Sequence, residues 1–164
     1  MIPMETERKF IIEMPGDELL RTLPSSDIVQ TYLVSEAGVT ERVRMRTQNG
    51  ISRYTHTKKV RISKMTSRED EREIGKDEYD ALLLRADPER APILKTRLLL
   101  SKNGFLFEID IYPFWKKQAV MEVETETEEV NVTLPDEIRV IREVTGDRAY
   151  SNASLALKIP EEEI

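Results

Sequence analysis

The sequence predicts an α+β, mainly β fold built from about eight antiparallel strands and about four short helices. Short runs in which apolar and polar residues alternate, typical of half-buried strands, recur along the 164 residues. All 6 glycines fall between these runs, where turns tolerate them best. Asn103-Gly104, between two such runs, is the strongest signal for a tight hairpin. No linker or internal repeat divides the chain, so we expect one domain over residues 1–164.

The expected elements follow one another with short turns between them. Strands are expected over 4–13, 30–35, 40–47, 53–63, 67–74, 93–102, 105–112 and 120–128. Helices are expected at about 17–23, 76–86, 135–141 and 151–157. In the second of these helices Tyr79, Leu82 and Leu83 recur at helical spacing, and Ser151-Asn152 is suited to cap the last.

The composition excludes several classes of protein. Asp and Glu outnumber Lys and Arg by 31 to 25, and this net charge of −6 argues against nucleic acid as the main partner. With no cysteine there is neither a disulfide framework nor a thiolate metal site. The chain has no apolar run of about 18 residues and no signal-peptide pattern at its start. We therefore expect a cytoplasmic protein without a membrane partner, and a homodimer stays open.

Charged residues occupy alternate positions in six of the expected strands, so each set shares one face of its strand. The stripes that are mainly acidic are Glu5, Glu7 and Lys9; Glu69, Glu71 and Glu73; Glu108 and Asp110; and Glu122, Glu124 and Glu126. The basic stripes are Arg42, Arg44 and Arg46, and Lys95 and Arg97. An exposed sheet usually intersperses opposite charges as cross-strand pairs, whereas these stripes are segregated by sign.

Two interpretations of the stripes stay open from residue spacing alone. In one, a half-solvated antiparallel sheet exposes its charges to water and covers its apolar face with helices. In the other, the sheet closes into a barrel with its charges inside. Because unpaired buried ions are costly, such an interior must hold water and a charged ligand. Carboxylates bind hard divalent cations and Arg or Lys bind phosphate oxygens, so both together describe a site for a metal-bound polyphosphate.

Short motifs extend over nearly the whole chain. They are Glu5-Thr6-Glu7-Arg8-Lys9, Gln30-Thr31-Tyr32-Leu33, Val43-Arg44-Met45-Arg46, Thr57-Lys58-Lys59, Lys95-Thr96-Arg97, Phe107-Glu108-Ile109-Asp110, Glu122-Val123-Glu124, Glu143-Val144-Thr145-Gly146-Asp147 and Tyr150-Ser151-Asn152-Ala153-Ser154-Leu155-Ala156. In type and order they resemble the ExExK, QxYL, VRxR, TxK, KxR, ExD, ExE and closing EVTxD…YSNxxLA motifs of the CYTH superfamily, the triphosphate tunnel metalloenzymes.

This resemblance implies an eight-stranded antiparallel closed barrel, a tunnel with a charged interior and short helices outside. It also implies Mg²⁺ or Mn²⁺ as cofactor and hydrolysis of inorganic triphosphate to pyrophosphate and phosphate, as in bacterial stand-alone members. The partner would be inorganic triphosphate or another small molecule that bears a triphosphate. The alternatives are a nucleoside, thiamine or RNA triphosphatase, a class IV-type adenylate cyclase, and a non-catalytic polyphosphate-binding module. A nucleoside or thiamine site needs an aromatic wall, for which Tyr112, Phe114 and Trp115 form the obvious cluster.

The resemblance also suggests roles for individual residues. The expected metal ligands are Glu5, Glu7, Glu122 and Glu124, joined by Glu108 and Asp110, which would either hold a second cation or anchor bases. The expected phosphate-binding residues are Arg42, Arg44, Arg46, Lys59, Lys95 and Arg97, with Glu71 touching the site. Lys58 competes with Lys59, because a bulge or a one-residue slip exchanges the two faces of a strand.

Lys9 and Tyr32 are the expected catalytic pair. The family pattern brings this lysine to this tyrosine, and the contact would lower the pKa of Lys9 or fix its position. Lys9 would then activate or orient the attacking water. The alternative is that Tyr32 is a wall residue whose hydroxyl is hydrogen-bonded. His56, the only histidine, is expected on the outer face without a catalytic role.

Overall fold

The computed structural model describes residues 4–164, so residues 1–3 of the expected domain lie outside the described part. Its strands are β1 Met4–Glu13, β2 Ser25–Tyr32, β3 Thr40–Gln48, β4 Ile51–Arg61, β5 Thr66–Ile74, β6 Ile93–Lys102, β7 Phe105–Ile111, β8 Gln118–Glu124 and β9 Val140–Glu143. Its helices are α1 Asp17–Thr22, α2 Lys76–Leu83 and α3 Asn152–Leu155, the last preceded by a 3-10 turn over Arg148–Tyr150. No helix among residues 4–164 combines the length and the apolar character needed to cross a membrane.

The strands β1 to β8 form a closed antiparallel barrel. Its strand order is β5-β4-β3-β2-β6-β7-β8-β1, and β1 closes the ring by pairing with β5. One edge of β1 pairs with β8 from Glu7 opposite Glu124 onward, and Glu5 lies opposite Ser67 at the other edge. The closed barrel is therefore confirmed, and the interpretation as an open, half-solvated sheet is wrong.

A ninth strand occupies the part of β1 that β5 leaves free. β5 pairs with Met4 to Thr6 only, and β9 pairs with Phe10 to Ile12 farther along. The sequence predicted a helix over 135–141 here, and that prediction is wrong. Val140 and Ile141 are β-branched residues suited to a strand, and the open edge of β1 supplies the backbone partners that a helix would not need.

The bounds of the other elements follow the expected ones with a few shifts. β6 agrees with its expected range, but β2 begins at Ser25 and ends at Tyr32, instead of covering 30–35. Its first residues are polar and have low strand propensity, yet Ser25 and Ser26 pair with β6, and Asp27 pairs with both β3 and β6. β8 ends at Glu124, so Glu126 lies outside the barrel strands. α2 ends at Leu83, three residues before the expected end.

The outer face of the barrel is apolar and is covered by the helices. Leu19 and Leu20 of α1 pack on a cluster that includes Leu98, Phe107 and Met121, none of them more than 2 % exposed. Tyr79 of α2 packs with Leu33, Val43 and Ile74 on the other side of the barrel. Burying these side chains outside leaves the inner face free for charges.

An apolar plug fills one end of the barrel interior. Ile11 and Val120 lie opposite each other one step beyond the Lys9–Glu122 pair, so they share the inner face. They pack with Tyr112, Trp115, Tyr150 and Leu155, which the chain brings from β7 to α3. The C-terminal segment fastens this plug, because Trp115 Nε1 donates to the carbonyl of Pro160 at 2.9 Å and the Tyr150 hydroxyl donates to Glu163 at 2.5 Å. The interior is thus dry at this end and polar along the rest.

Candidate active site

Strand register brings the charged stripes together on the inner face. Arg44 lies opposite Gln30 and Thr55, Lys95 opposite Ile28, Arg97 opposite Asp110, and Glu108 opposite Glu122. Directly opposite residues share a face, so these pairs carry one surface around the barrel. The surface encloses a cavity of about 600 Å³, and every expected site residue except Asp110 lines it.

The cavity wall divides into halves of opposite charge. A basic half extends over the four neighbouring strands β4, β3, β2 and β6, of which β4, β3 and β6 supply the cations Arg42, Arg44, Arg46, Lys59, Lys95 and Arg97. The four neighbouring strands β7, β8, β1 and β5 supply an acidic half, formed by Glu5, Glu7, Glu69, Glu71, Glu108, Glu122 and Glu124. Lys9 is the one strand cation placed within the acidic half of the described residues.

Asp110 does not line the cavity but holds two side chains of the basic half, those of Lys95 and Arg97. It is fully buried, and its carboxylate accepts from Arg97 Nε at 2.8 Å and from Arg97 Nη2 at 3.0 Å. Lys95 Nζ lies 2.9 Å from the same carboxylate. Burial opposes the ionised form, but Lys95 and Arg97 hold the pKa of Asp110 below its usual range. Both of its oxygens serve these bases, which is the anchoring role expected as the alternative to holding a second cation. Glu108 also faces Arg97, at 3.0 Å.

The basic half is short of negative charge. Arg42 and Arg44 share a single carboxylate, that of Glu71, at 3.9 Å and 3.6 Å. The Nε atoms of both arginines are buried and have no hydrogen-bond partner among the described residues. Burial, together with the neighbouring Arg42 and Arg97, lowers the pKa of Arg44 to about 10. Burial also lowers the pKa of Lys95 to about 8, against the attraction of Asp110. Such a surface favours a bound anion.

The acidic half is short of positive charge. Burial raises the pKa of Glu5 to about 10, with a hydrogen bond to Glu69 adding to the effect. Burial and the nearby Glu122 raise the pKa of Glu7 to about 7. Glu122 differs, because Lys9 and Arg97 outweigh its burial and lower its pKa. Carboxylates placed in this way share protons unless a cation replaces those protons.

The donors of the acidic half fit a divalent cation by their chemistry. Glu5, Glu7, Glu122 and Glu124 offer the carboxylate oxygens that Mg²⁺ and Mn²⁺ prefer. No three His, Cys, Asp or Glu side chains of residues 4–164 already converge as a formed metal site. A cation would therefore draw these carboxylates together in place of the protons that they share.

Lys9 and Tyr32 both line the cavity, but their partners differ from the expected ones. Lys9 Nζ donates to the carbonyl of Tyr150 at 3.2 Å and lies 3.4 Å from Glu122. Burial works against the charge of Lys9, yet Glu122 and Glu7 raise its pKa. This direction is opposite to the lowered pKa expected from a contact with Tyr32, whereas the other expected effect, a fixed position for Lys9, stays a prediction. The Tyr32 hydroxyl accepts from Gln30 Nε2 at 3.2 Å, as in the alternative in which Tyr32 is a wall residue.

The choice between Lys58 and Lys59 is resolved by the register of β4. Lys59 lines the cavity and lies 4.0 Å from Glu69, whereas Lys58 is exposed on the outer side. His56 also lies outside the cavity, with Nε2 2.6 Å from Glu41. The aromatic cluster of Tyr112, Phe114 and Trp115 belongs to the plug. Within the described part of the chain, Tyr32 is the only aromatic side chain that lines the cavity.

Sequence reasoning missed the cavity residues that come from loops. They include Gly38, Val39, Lys64, Met65 and Arg90. Residues outside a strand have no alternation that would assign them to a face, so no local signal identified them. Thr57 also lines the cavity, and the TxK motif, which includes it, was a sequence signal that could have identified it. Its hydroxyl donates to Glu71 at 2.9 Å.

Comparisons with known proteins agree with this geometry. No family model matches the chain, and no curated protein matches it significantly. Among solved structures, the chain is similar to the inorganic triphosphatase NE1496, with 28% identity, a TM-score of 0.58, and coverage of 98% of this chain and 99% of that one. It also resembles PH1819 from Pyrococcus horikoshii OT3, with 20% identity, a TM-score of 0.55, and coverage of 76% and 80%.

A third similar structure is HpAC1 from Hippeastrum, described as having a dominant triphosphatase activity. It shares 16% identity with a TM-score of 0.50, and the match covers 74% of this chain and 80% of that one. At this identity the likeness concerns the fold alone. The barrel, the inward charged motifs in their order and these likenesses together show that the chain has the triphosphate tunnel fold of the CYTH superfamily.

Proposed function

We propose that this protein hydrolyses inorganic triphosphate to pyrophosphate and orthophosphate inside its cavity, with Mg²⁺ or Mn²⁺ as cofactor. The observation that carries the proposal is the division of one cavity wall into a basic half and an acidic half. A polyanion that carries divalent cations matches both halves at once. The likeness to an inorganic triphosphatase over nearly the full length of both chains supports the same substrate.

The basic half would bind the phosphoryl oxygens. Arginine presents planar, paired donors that match phosphate oxygens, and Arg42 and Arg44 each have an Nε without a partner in the described structure. Arg97 is held rigidly by Asp110, so its orientation is set before substrate arrives. Donors that are already oriented need no rearrangement as charge builds up on the phosphoryl oxygens during the reaction.

The acidic half would hold the cation through Glu5, Glu7, Glu122 and Glu124. When bound, the cation supplies charge neutralisation at the phosphoryl oxygens. These carboxylates would place it on the wall that faces the arginines, because the acidic strands lie across the barrel from the basic ones. Substrate would thus lie between the two halves.

The chemistry that fits these residues is direct attack of water on a terminal phosphorus. Glu122 and Glu7 raise the pKa of Lys9 against the effect of burial, which favours its charged form. Lys9 Nζ would therefore act as a donor, to the water or to a phosphoryl oxygen. No covalent intermediate is needed, since the chain has no cysteine and His56 lies outside the cavity.

The lining of the cavity favours inorganic triphosphate over substrates that carry a ring. A nucleobase or a thiazole gains much of its binding energy from stacking on aromatic side chains. Tyr112, Phe114 and Trp115 are packed into the plug, where they cannot stack on a ligand in the cavity. The cavity instead presents charged groups over most of its surface.

The decisive experiment compares substrates and cations with the purified protein. Inorganic triphosphate, ATP, thiamine triphosphate and pyrophosphate are each incubated with Mg²⁺, Mn²⁺ or EDTA, and phosphate release and cyclic AMP are measured. We expect release to be fastest from inorganic triphosphate and to stop in EDTA. Faster release from ATP, or formation of cyclic AMP, contradicts the proposal, and tight binding without turnover indicates a binding module.

A pair of arginine variants links the activity to the cavity. Arg44→Ala removes a cavity guanidinium, whereas Arg68→Ala removes one from the exposed outer side of β5. We expect Arg44→Ala to raise the KM for triphosphate about tenfold or more, as the loss of a charge-assisted hydrogen bond predicts. The Arg68→Ala variant should have the same KM for triphosphate as the unmodified protein. Equal effects of the two would place the activity outside the cavity.

A further inference from the structure

Arg90 lies outside every charged stripe, yet the fold brings it to the cavity. It belongs to the loop between α2 and β6. Two backbone hydrogen bonds hold this loop in place. Asp87 N donates to the carbonyl of Tyr32 and Ala91 N to that of Ala156, both at 2.9 Å. These bonds fix the loop against the end of β2 on one side and against α3 on the other.

The loop extends the basic half at its Tyr32 end. Ile93 of β6 lies opposite Gln30, and Ala86 forms a bridge with Leu33 farther along β2. The segment before β6 therefore follows the edge of β2 that β6 occupies, and Arg90 sits between these two contacts in the chain. On the neighbouring strand, Arg42 lies opposite Tyr32 at this end. Arg90 is thus the next cation beyond the strand residues of the basic half.

The guanidinium of Arg90 is incompletely satisfied. Its Nε is buried and has no hydrogen-bond partner in the part of the chain that the structure describes. The nearest carboxylate is that of Asp87, whose Oδ2 lies 3.7 Å from this Nε, beyond hydrogen-bond distance. Asp87 Oδ1 accepts from the backbone N–H of Glu89 at 3.0 Å. Arg90 thus shares its one open feature, a buried Nε donor without a partner, with Arg42 and Arg44.

We propose that Arg90 is a further substrate-binding residue, whose guanidinium binds a terminal phosphoryl group of the triphosphate at the Tyr32 end of the cavity. This assignment rests on the function proposed above. A buried donor that lines a cavity is costly unless a ligand satisfies it. A triphosphate bound to Arg42 and Arg44 is the ligand whose charge and position suit this donor. Arg90 would extend the contact to one more phosphoryl oxygen pair.

The test combines kinetics with binding. Arg90→Ala is compared with Glu89→Ala, which removes an exposed side chain of the same loop, and with Arg90→Lys, which keeps the charge but loses the paired donors. We expect Arg90→Ala to raise the KM for inorganic triphosphate about tenfold with kcat changed less than about twofold. The KM of Arg90→Lys should lie between those of the unmodified protein and Arg90→Ala, and Glu89→Ala should leave KM unchanged.

Calorimetric titration with triphosphate in EDTA separates this proposal from the proposed function. If the unmodified protein binds triphosphate in EDTA but does not hydrolyse it when Mg²⁺ or Mn²⁺ is supplied, the function is wrong, and a raised Kd of Arg90→Ala still supports the contact. If Arg90→Ala matches the unmodified protein in KM and Kd, the contact is wrong and the function stands. If the unmodified protein binds and hydrolyses triphosphate neither in EDTA nor with Mg²⁺ or Mn²⁺, both are wrong. Melting curves of all variants confirm that differences in Kd do not come from unfolding.

Discussion

Asp110 shows how one buried residue organises half of the cavity. Its negative charge compensates the positive charges of both Lys95 and Arg97, whose side chains are at least nine-tenths buried. Alternation in the sequence predicted that Asp110 faces inward with Glu108, but it could not predict that Asp110 lies behind the bases. That position depends on pairing between Arg97 and Asp110, on separate strands.

Replacing Asp110 by asparagine should destabilise the protein strongly. The variant keeps the shape but leaves the buried Lys95 without its carboxylate partner and Arg97 with Glu108 alone, and breaking a buried ion pair costs about 3 kcal/mol or more in comparable cases. Urea unfolding measures this loss directly. Asp70→Asn, on the exposed side of β5, is the control and should change stability little. A similar effect of both substitutions would show that Asp110 is not an anchor.

Lys9 should matter for turnover more than for binding. Lys9 lies among carboxylates and not with the arginines, so its charge is placed where water and cation would meet the substrate. We expect Lys9→Ala to lower kcat about a hundredfold, as the loss of a single well-placed donor does in other enzymes, with a smaller change in KM. Arg8→Ala is the matched control, because Arg8 pairs with Glu143 on the other face of β1. An unchanged kcat would remove the proposed role of Lys9.

At the level of elements, the sequence predicted best where local signals agree. β6 has regular alternation and a tight Asn-Gly turn after it, and its expected range is the observed one. β2 and β9 were missed or shifted because their pairing depends on distant partners. Ser25 to Asp27 are polar, but β6 pairs with all three residues, and β9 pairs with the edge of β1 that β5 leaves free.

The loop after β9 is fixed to the turn between β4 and β5, and Gly146 is its closest point. Gly146 has φ +79°, and a Cβ placed there would lie 2.8 Å from Cβ of Lys64. Its carbonyl accepts from Arg61 Nη2 at 2.9 Å. The contact joins the loop to β4 and β5, on the side of the cavity where Arg148 and Ser151 enter the wall.

Gly146→Ala should therefore destabilise the protein more than Gly38→Ala does. Both glycines have positive φ, so both substitutions carry the same backbone cost of about 1 kcal/mol. Around Gly38 there is nothing within 4 Å, so its variant measures that backbone cost alone. The additional loss in melting temperature of Gly146→Ala reports the contact with Lys64. Equal losses in melting temperature would show that the loop moves away from Lys64 without a loss of stability.

At the scale of the whole molecule, the defining property is the separation of charge across one cavity. Alternation predicted which side chains share a face of each strand, because its period of two is local. It could not predict that β2 lies between β3 and β6, or that β1 meets both β5 and β8. These neighbours make one half basic and the other acidic. The motif resemblance implied the closed tunnel, but it did not give the strand order that separates the two halves.

The separation of charge predicts how stability responds to pH and to Mg²⁺. Glu7 has a pKa raised from 4.5 to about 7 in the folded protein. Between these values the folded state binds more protons than the unfolded state, so the contribution of Glu7 to stability falls as pH rises through this window. A cation that takes the place of the proton removes this loss, because ligation requires ionised carboxylates.

We therefore expect the melting temperature in EDTA to fall between pH 5.5 and pH 7.5, and the gain from added Mg²⁺ to be larger at the higher pH. At a concentration of Mg²⁺ about a hundred times its Kd, the gain should approach about 2.7 kcal/mol. Glu7→Gln removes the titrating group, so it should reduce both the fall in EDTA and the gain from Mg²⁺. Glu13→Gln, on β1 beyond the cavity lining, is the matched control. A gain that is equal at both pH values, or equal in the two variants, would mean that Mg²⁺ does not replace protons in the acidic half.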